Sequence, residues 1–254
     1  MKTKIIRIFL FIFFCGLPIW LFRFELIFNF QIARLRNMNC KTDGMSTCLE
    51  KFWVHRVNSL ERFRIVSKKL NGIEADIAFD SIAGSFWVYH PPLTETKKLP
   101  LDLYLKEVVV SGEKHCWLDT RFVSGTNVTA ACASLKAIDS IYHIKDRVIF
   151  ELYDVLAANY LAEQGYKISM SISPAILNDM VAMARLKNNL SAKILYVSQE
   201  SSYIKQLEQL FPDKKILTWA ISFKNYFNRA PLMQLAADSR VAVILVNVKS
   251  RYFK

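Results

Sequence analysis

The chain has 254 residues, of which 52% are hydrophobic, with only 7 Gly and 7 Pro, and it carries a net charge of +12. That much apolar material excludes wholesale disorder, and the scarcity of Gly and Pro excludes fibrous and low-complexity classes. The basic residues are spread out, without a basic cluster or Gly-aromatic motif, so no nucleic-acid partner is expected; an anionic lipid surface or anionic substrate suits the excess.

Residues 1–30 begin with Lys2, Lys4 and Arg7, continue through fifteen uncharged residues from Ile8 to Phe22, and reach Arg23, Glu25 and "LIFNF". A charged start with a short apolar core describes an export signal. No small-x-small cleavage site follows, so an uncleaved signal anchor is preferred over a cleaved signal peptide. The positive flank stays in the cytoplasm, which places the remainder outside it, periplasmic or extracellular, or secreted if the N-terminus is cleaved. Beyond this segment lie Cys40, Cys48, Cys116 and Cys132. An even count in an exported chain predicts disulfides, with Cys40–Cys48 and Cys116–Cys132 the short-loop choice among three pairings. Zinc competes, but there is no CxxC and no His at ligand spacing.

From residue 51 short β-rich runs recur at 51–55, 73–78, 116–123, 147–153, 166–172, 193–198, 214–221 and 240–248. Helical spacing separates them. "SLERFRIVSKKL" repeats apolar residues at Leu60, Phe63, Val66 and Leu70, and "PLDLYLKEVVV" reads as a helix within a longer excursion at 79–114. "VLAANYLAEQG" ends on Gly165, "PAILNDMVAMARL" starts on Pro174, and "SQESSYIKQLEQLF" opens with a Ser. Eight strands alternating with helices predict a (β/α)₈ TIM-type barrel over 51–254, with an open doubly wound sheet as the runner-up. Residues 31–50 then read as a linker or barrel-capping segment.

Active-site groups of such a barrel sit at the carboxyl ends of its strands. His55 ends the first run. Glu74 and Asp76 share one face of the second, as Asp119 and Arg121 do on the third, because strand side chains alternate with period two. Charges inside a closed barrel are costly unless paired or bound to a cation. Three carboxylates, Glu74, Asp76 and Asp119, suit Mg²⁺ or Ca²⁺. His55 and His90 could transfer protons near neutral pH, and Arg56 and Arg121 could hold a phosphate. Together these fit attack on a phosphodiester. Glu151 receives no role from spacing, His115 and His143 read as surface residues, and Trp219 as core.

The same residues carry a resemblance. "HRVNS" (55–59), "EAD" (74–76), "HPP" (90–92) and "LDTR" (118–121) resemble, in order, the motif series of the PLC-like, glycerophosphodiester phosphodiesterase superfamily. The His-x-x-Asn-Ser start and the His-Pro-Pro triplet look most like its menorin-type branch. The resemblance implies His55 and His90 as the catalytic pair, Glu74, Asp76 and Asp119 as ligands of a divalent cation, and Arg56 as a phosphate holder. Arg121 stands where the family usually has Lys, and Pro91 where its hydrolases usually have Asp. The implied activity is hydrolysis, or transphosphorylation by the substrate's own hydroxyl, of a small-molecule or lipid phosphodiester. The alternative is a non-catalytic extracellular binding module that keeps the barrel and its acidic site. A glycosidase using two of the carboxylates leaves both histidines and Arg121 unexplained.

Overall fold

Each of the eight β-rich runs folds as a strand, and each pairs in parallel with its neighbours. The computed structural model of the chain describes residues 29–30, 33, 48–70, 72–90, 98–112, 115–219 and 229–247. In chain order the strands are β1 (Phe52–Val54), β2 (Gly72–Asp80), β3 (Ser85–Val88), β4 (Leu99–Pro100), β5 (His115–Arg121), β6 (Val148–Leu152), β7 (Lys167–Ser171), β8 (Tyr196–Glu200), β9 (Lys215–Trp219) and β10 (Val241–Val246). The ring runs β1-β10-β9-β8-β7-β6-β5-β2 and closes by a β1–β2 pairing in which Trp53 faces Gly72. This is the expected closed parallel barrel. The open sheet is ruled out by that closing pair.

The helices are α1 (Leu60–Val66), α2 (Leu101–Val110), α3 (Val128–Tyr142), α4 (Val155–Glu163), α5 (Pro174–Leu177), α6 (Met180–Asn189), α7 (Ile204–Leu210) and α8 (Arg229–Ala237). Gly165 takes a φ of +86° just after α4, the left-handed stop that its position predicts. The single helix expected from Pro174 is two, because the Asp179 carboxylate accepts the N–H groups of Val181 and Ala182 and starts α6 afresh. The helix expected from Ser198 begins only at Ile204, after β8 has extended to Glu200.

The main departure lies after β2. β1 is three residues long and meets β2 only at Gly72 and Ile73, so the upper edge of the nine-residue β2 on that side is left uncovered. β3 takes that edge in antiparallel register, Ile77 opposite Val88 through Asp80 opposite Ser85, and β4 extends the hairpin. Buried backbone groups demand partners, and this hairpin supplies them.

Apolar residues pack in two layers. One lies between strands and helices and includes Phe52, Phe63, Ile73, Leu118 and Phe150. The other fills the lower barrel with Trp53, Trp117, Ile149, Leu217, Val243 and Leu245. Gly72 is required here, since a Cβ would stand 2.1 Å from the Trp53 ring.

Cys116 and Cys132 correct the sequence-based disulfide expectation. Both are free thiols, buried in the outer layer, where each packs as a small hydrophobe. Burial pushes the Cys116 thiol well above its ordinary value, so it holds its proton. The Cys40–Cys48 pairing, and the anchor at 1–30 apart from its last two residues, lie outside the described residues. Among the described residues no helix is long and apolar enough to cross a membrane.

Candidate functional site

The loop between β1 and α1, "HRVNS", is tied to β2 residue by residue. His55 donates its backbone N–H to Val246 on β10 at 3.1 Å. Arg56 adopts a φ of +58°, a left-handed conformation that a side-chain-bearing residue rarely takes. That turn aims its backbone N–H at Glu74 Oε2, 2.6 Å away, so the strain has a local return in a buried carboxylate. Val57 is fully buried, donates to the Glu74 carbonyl at 2.7 Å and accepts from the Tyr104 hydroxyl at 2.7 Å. Asn58 pairs with Asp76 twice: its amide donates to Oδ2 at 2.7 Å, and its carbonyl accepts the Asp76 N–H at 2.9 Å. Ser59 caps α1 by accepting the Arg62 N–H.

The barrel register brings the acids together. Asp76 on β2 stands opposite Asp119 on β5, which stands opposite Glu151 on β6. Glu74, Asp76 and Asp119 each offer a carboxylate oxygen within 4.8 Å of the others. Burial, then the neighbouring Asp76 charge, drives the Glu74 carboxyl well above its usual value, and burial raises Asp119 as well. Arg62 reaches in beneath, donating to the His55 carbonyl at 2.7 Å, and burial lowers its guanidinium to about 10. Three buried, mutually repelling carboxylates with hard oxygen donors fit a divalent cation, whose charge would offset theirs.

Both histidines flank this set. His55 has its Nδ1 2.8 Å from Asn247 Oδ1, and its Nε2 3.7 Å from Glu74 Oε2. The amide oxygen can only accept, so it holds the proton on Nδ1 and leaves the Nε2 lone pair toward the acids. Burial, outweighing the Asn247 bond, lowers the His55 pKa from its ordinary value. On the other side His90 Nε2 accepts from Arg56 Nη2 at 3.0 Å and lies 3.8 Å from Asp76 Oδ1. Arg121 pairs with Asp119 and stacks its guanidinium 4.5 Å from the Tyr153 ring centroid, while the Tyr153 hydroxyl donates to Asp119 Oδ1 at 2.9 Å.

All seven expected site residues therefore meet at one end of the barrel: His55, Arg56, Glu74, Asp76, His90, Asp119 and Arg121. The sequence reading gave no part to Asn58, Glu151, Tyr153 or Asn247. Glu151 lies inside the barrel, accepting from Trp117 Nε1 at 2.9 Å and Ser198 Oγ at 2.6 Å, and burial pushes its carboxyl up to about 7. The signal for Tyr153 was its period-two spacing from Glu151, and for Asn247 a lone amide ending an apolar strand. His115 is exposed at the opposite end, stacked 6.0 Å from the Trp53 ring. Trp219 packs 6.5 Å from the Trp117 ring, consistent with a core role.

The fold is that of a TIM-type barrel, and solved structures resemble it. A glycerophosphodiester phosphodiesterase from Parabacteroides distasonis superposes with a TM-score of 0.58 at 14% identity, covering 78% of this chain and 93% of its own. One from Thermotoga maritima gives 0.56 at 14% identity, covering 77% and 93% respectively. At such identity the likeness speaks for the fold alone. No family model matches the sequence, and neither does any curated protein.

Proposed function

We propose that the chain is a metal-dependent phosphodiesterase acting outside the cytoplasm on a glycerophosphodiester or phospholipid-type diester, held at the membrane by its N-terminal segment. Its motifs favour the menorin-type branch of the superfamily. The observation that carries the reading is the convergence of three carboxylates, two histidines and two arginines at the carboxyl end of a barrel shaped like known diesterases. Glu74, Asp76 and Asp119 would hold Mg²⁺ or Ca²⁺, which supplies neutralisation of the phosphate charge.

The protein's own groups then divide the work. His55 accepts a proton at Nε2 from the attacking water or substrate hydroxyl, its tautomer set by Asn247. His90, protonated at Nε2 once Arg56 turns from it to the phosphate, delivers that proton to the departing oxygen. Arg56 and Arg121 bind the non-bridging phosphate oxygens, and Asn58 holds Asp76 in place.

The test is turnover of glycerophosphocholine and bis(4-nitrophenyl) phosphate by the full chain, with Mg²⁺ or Ca²⁺ and then with chelator. Cation-dependent turnover that vanishes in both His55→Ala and His90→Ala supports the reading. Cation binding without turnover favours the non-catalytic module, and turnover untouched by either substitution overturns the assigned proton transfers.

A further inference from the structure

The three acids of the site are held by different kinds of partner. Glu74 accepts the backbone N–H of Arg56, and Asp76 accepts the side-chain amide of Asn58, both neutral donors. Asp119 is held by a charge. Its Oδ2 accepts from Arg121 Nη2 as an ion pair, and its Oδ1 accepts the Tyr153 hydroxyl at 2.9 Å. Arg56, the other arginine assigned to the phosphate, has its Nε 3.9 Å from Asp76 Oδ2, beyond hydrogen-bond reach. The distinction matters when a divalent cation arrives. A carboxylate has lone pairs enough to keep a neutral donor and take a metal ion as well. A guanidinium on the same carboxylate meets like-charge repulsion and competes with the ion.

Tyr153 gives the displaced group a second seat. It lies between β6, which ends at Leu152, and Asp154, whose carboxylate caps α4 by accepting the Ala157 N–H at 2.9 Å, so its backbone is pinned on both sides. Its ring centroid stands 4.5 Å from the Arg121 guanidinium. The ring face attracts a guanidinium whichever oxygen that group pairs with. Arg121 closes β5, and its side chain is 35% exposed against 12% for Asp119, so it can turn toward the open mouth while Asp119 stays in place.

We propose that Tyr153 is a positioning residue that seats Arg121 in two successive roles: counter-ion to Asp119 while the cation is absent, and phosphate holder once the cation has taken Asp119. This rests on the metal-dependent reading above and adds an order of events to it. The Tyr153 hydroxyl holds Asp119 through the exchange, and the ring holds Arg121. Cation and phosphate then bind with positive coupling, because the first releases the group that grips the second.

The experiment titrates the full chain by calorimetry with Mg²⁺ and with Ca²⁺, alone and beside sn-glycerol 3-phosphate, which needs no turnover. Parent, Arg121→Gln, Arg121→Met, Tyr153→Phe and Tyr153→Leu are compared once thermal melts show them folded; either Arg121 variant removes the charge. Without phosphate, losing the competing guanidinium should tighten cation binding about fivefold or more. Tyr153→Phe should weaken the cation about tenfold by loosening Asp119, yet leave glycerol phosphate affinity at saturating cation unchanged. Tyr153→Leu should weaken glycerol phosphate too, by about two- to fivefold. Cation affinity that stays level or falls on removing the Arg121 charge overturns the exchange and leaves the metal-dependent reading standing. Equal glycerol phosphate affinities in Tyr153→Phe and Tyr153→Leu overturn the role of the ring. A parent chain that binds neither cation overturns both readings together.

Discussion

Replacing Asn58 with Ala isolates what holds Asp76 at the centre of the site. Asp76 is 2% exposed, and Asn58 satisfies both its Oδ2 and its backbone N–H, at 2.7 and 2.9 Å. A hydrogen bond to a charged group contributes about 1.5–3 kcal/mol, and an orphaned buried N–H costs about 1–3 kcal/mol. Alanine leaves room for a water, so the loss falls near the low end of that sum, about 3 kcal/mol. For a chain of this size about 2–4 °C accompanies each kcal/mol, so the melting temperature should drop by about 6–12 °C. A group that orients a metal ligand also carries about 10–100-fold in cation affinity. Calorimetric titration of the folded variant with Mg²⁺ or Ca²⁺, beside a thermal melt, measures both. A variant that melts and binds cation like the parent would refute the argument that Asn58 positions Asp76.

Other outcomes follow from the same geometry. With His55 held below its ordinary pKa of 6.5 by burial, kcat/KM should rise with pH through an ionisation under that value; Asn247→Ala removes a bond that favours the charged ring, so this limb should move to still lower pH in a pH–rate profile. Glu151 is raised from 4.5 to about 7, so the folded state binds more protons than the unfolded chain between those values, and stability of the cation-free protein should fall as pH rises across that window. Melts of Glu151→Gln should show a weaker fall, and an unaltered slope would contradict the assignment. Gly72→Ala forces a methyl into the Trp53 ring and should cost about 3 kcal/mol or more, read as lost soluble yield or a collapsed melt. Peptide-level mass spectrometry should find Cys116 and Cys132 labelled by maleimide only after denaturation, with no bond between them.

The barrel was legible because each strand writes its own signal locally: an uninterrupted apolar run bounded by helix caps. Closure was implied by counting such runs, and the site by polar residues breaking them with period two, as at Glu74 and Asp76. β3 escaped because its existence depends on the brevity of β1, a mismatch between two strands that neither sequence displays alone. The roles of Asn58 and Asn247 escaped for a related reason. Each acts through a partner, Asp76 or His55, that lies 18 or 192 residues away along the chain. Cys116 and Cys132 were misread because an even cysteine count reports on compartment, while pairing is decided by which layer each side chain packs in. Glu151 was set aside for lack of a spacing partner; its partners Trp117 and Ser198 come from two other strands.

The indole of Trp53 lying flat across Gly72, with Trp117, Leu217 and Leu245 beside it, turns the lower half of the barrel into a solid plug. On the proposed reaction, substrate and both fragments would then use one doorway, in sequence. A freshly released phosphomonoester, more highly charged than the diester it came from, would linger among the arginines and obstruct the next arrival. Slowing of progress curves by accumulated product, well before substrate runs out, is the kinetic trace such a dead-end chamber should leave.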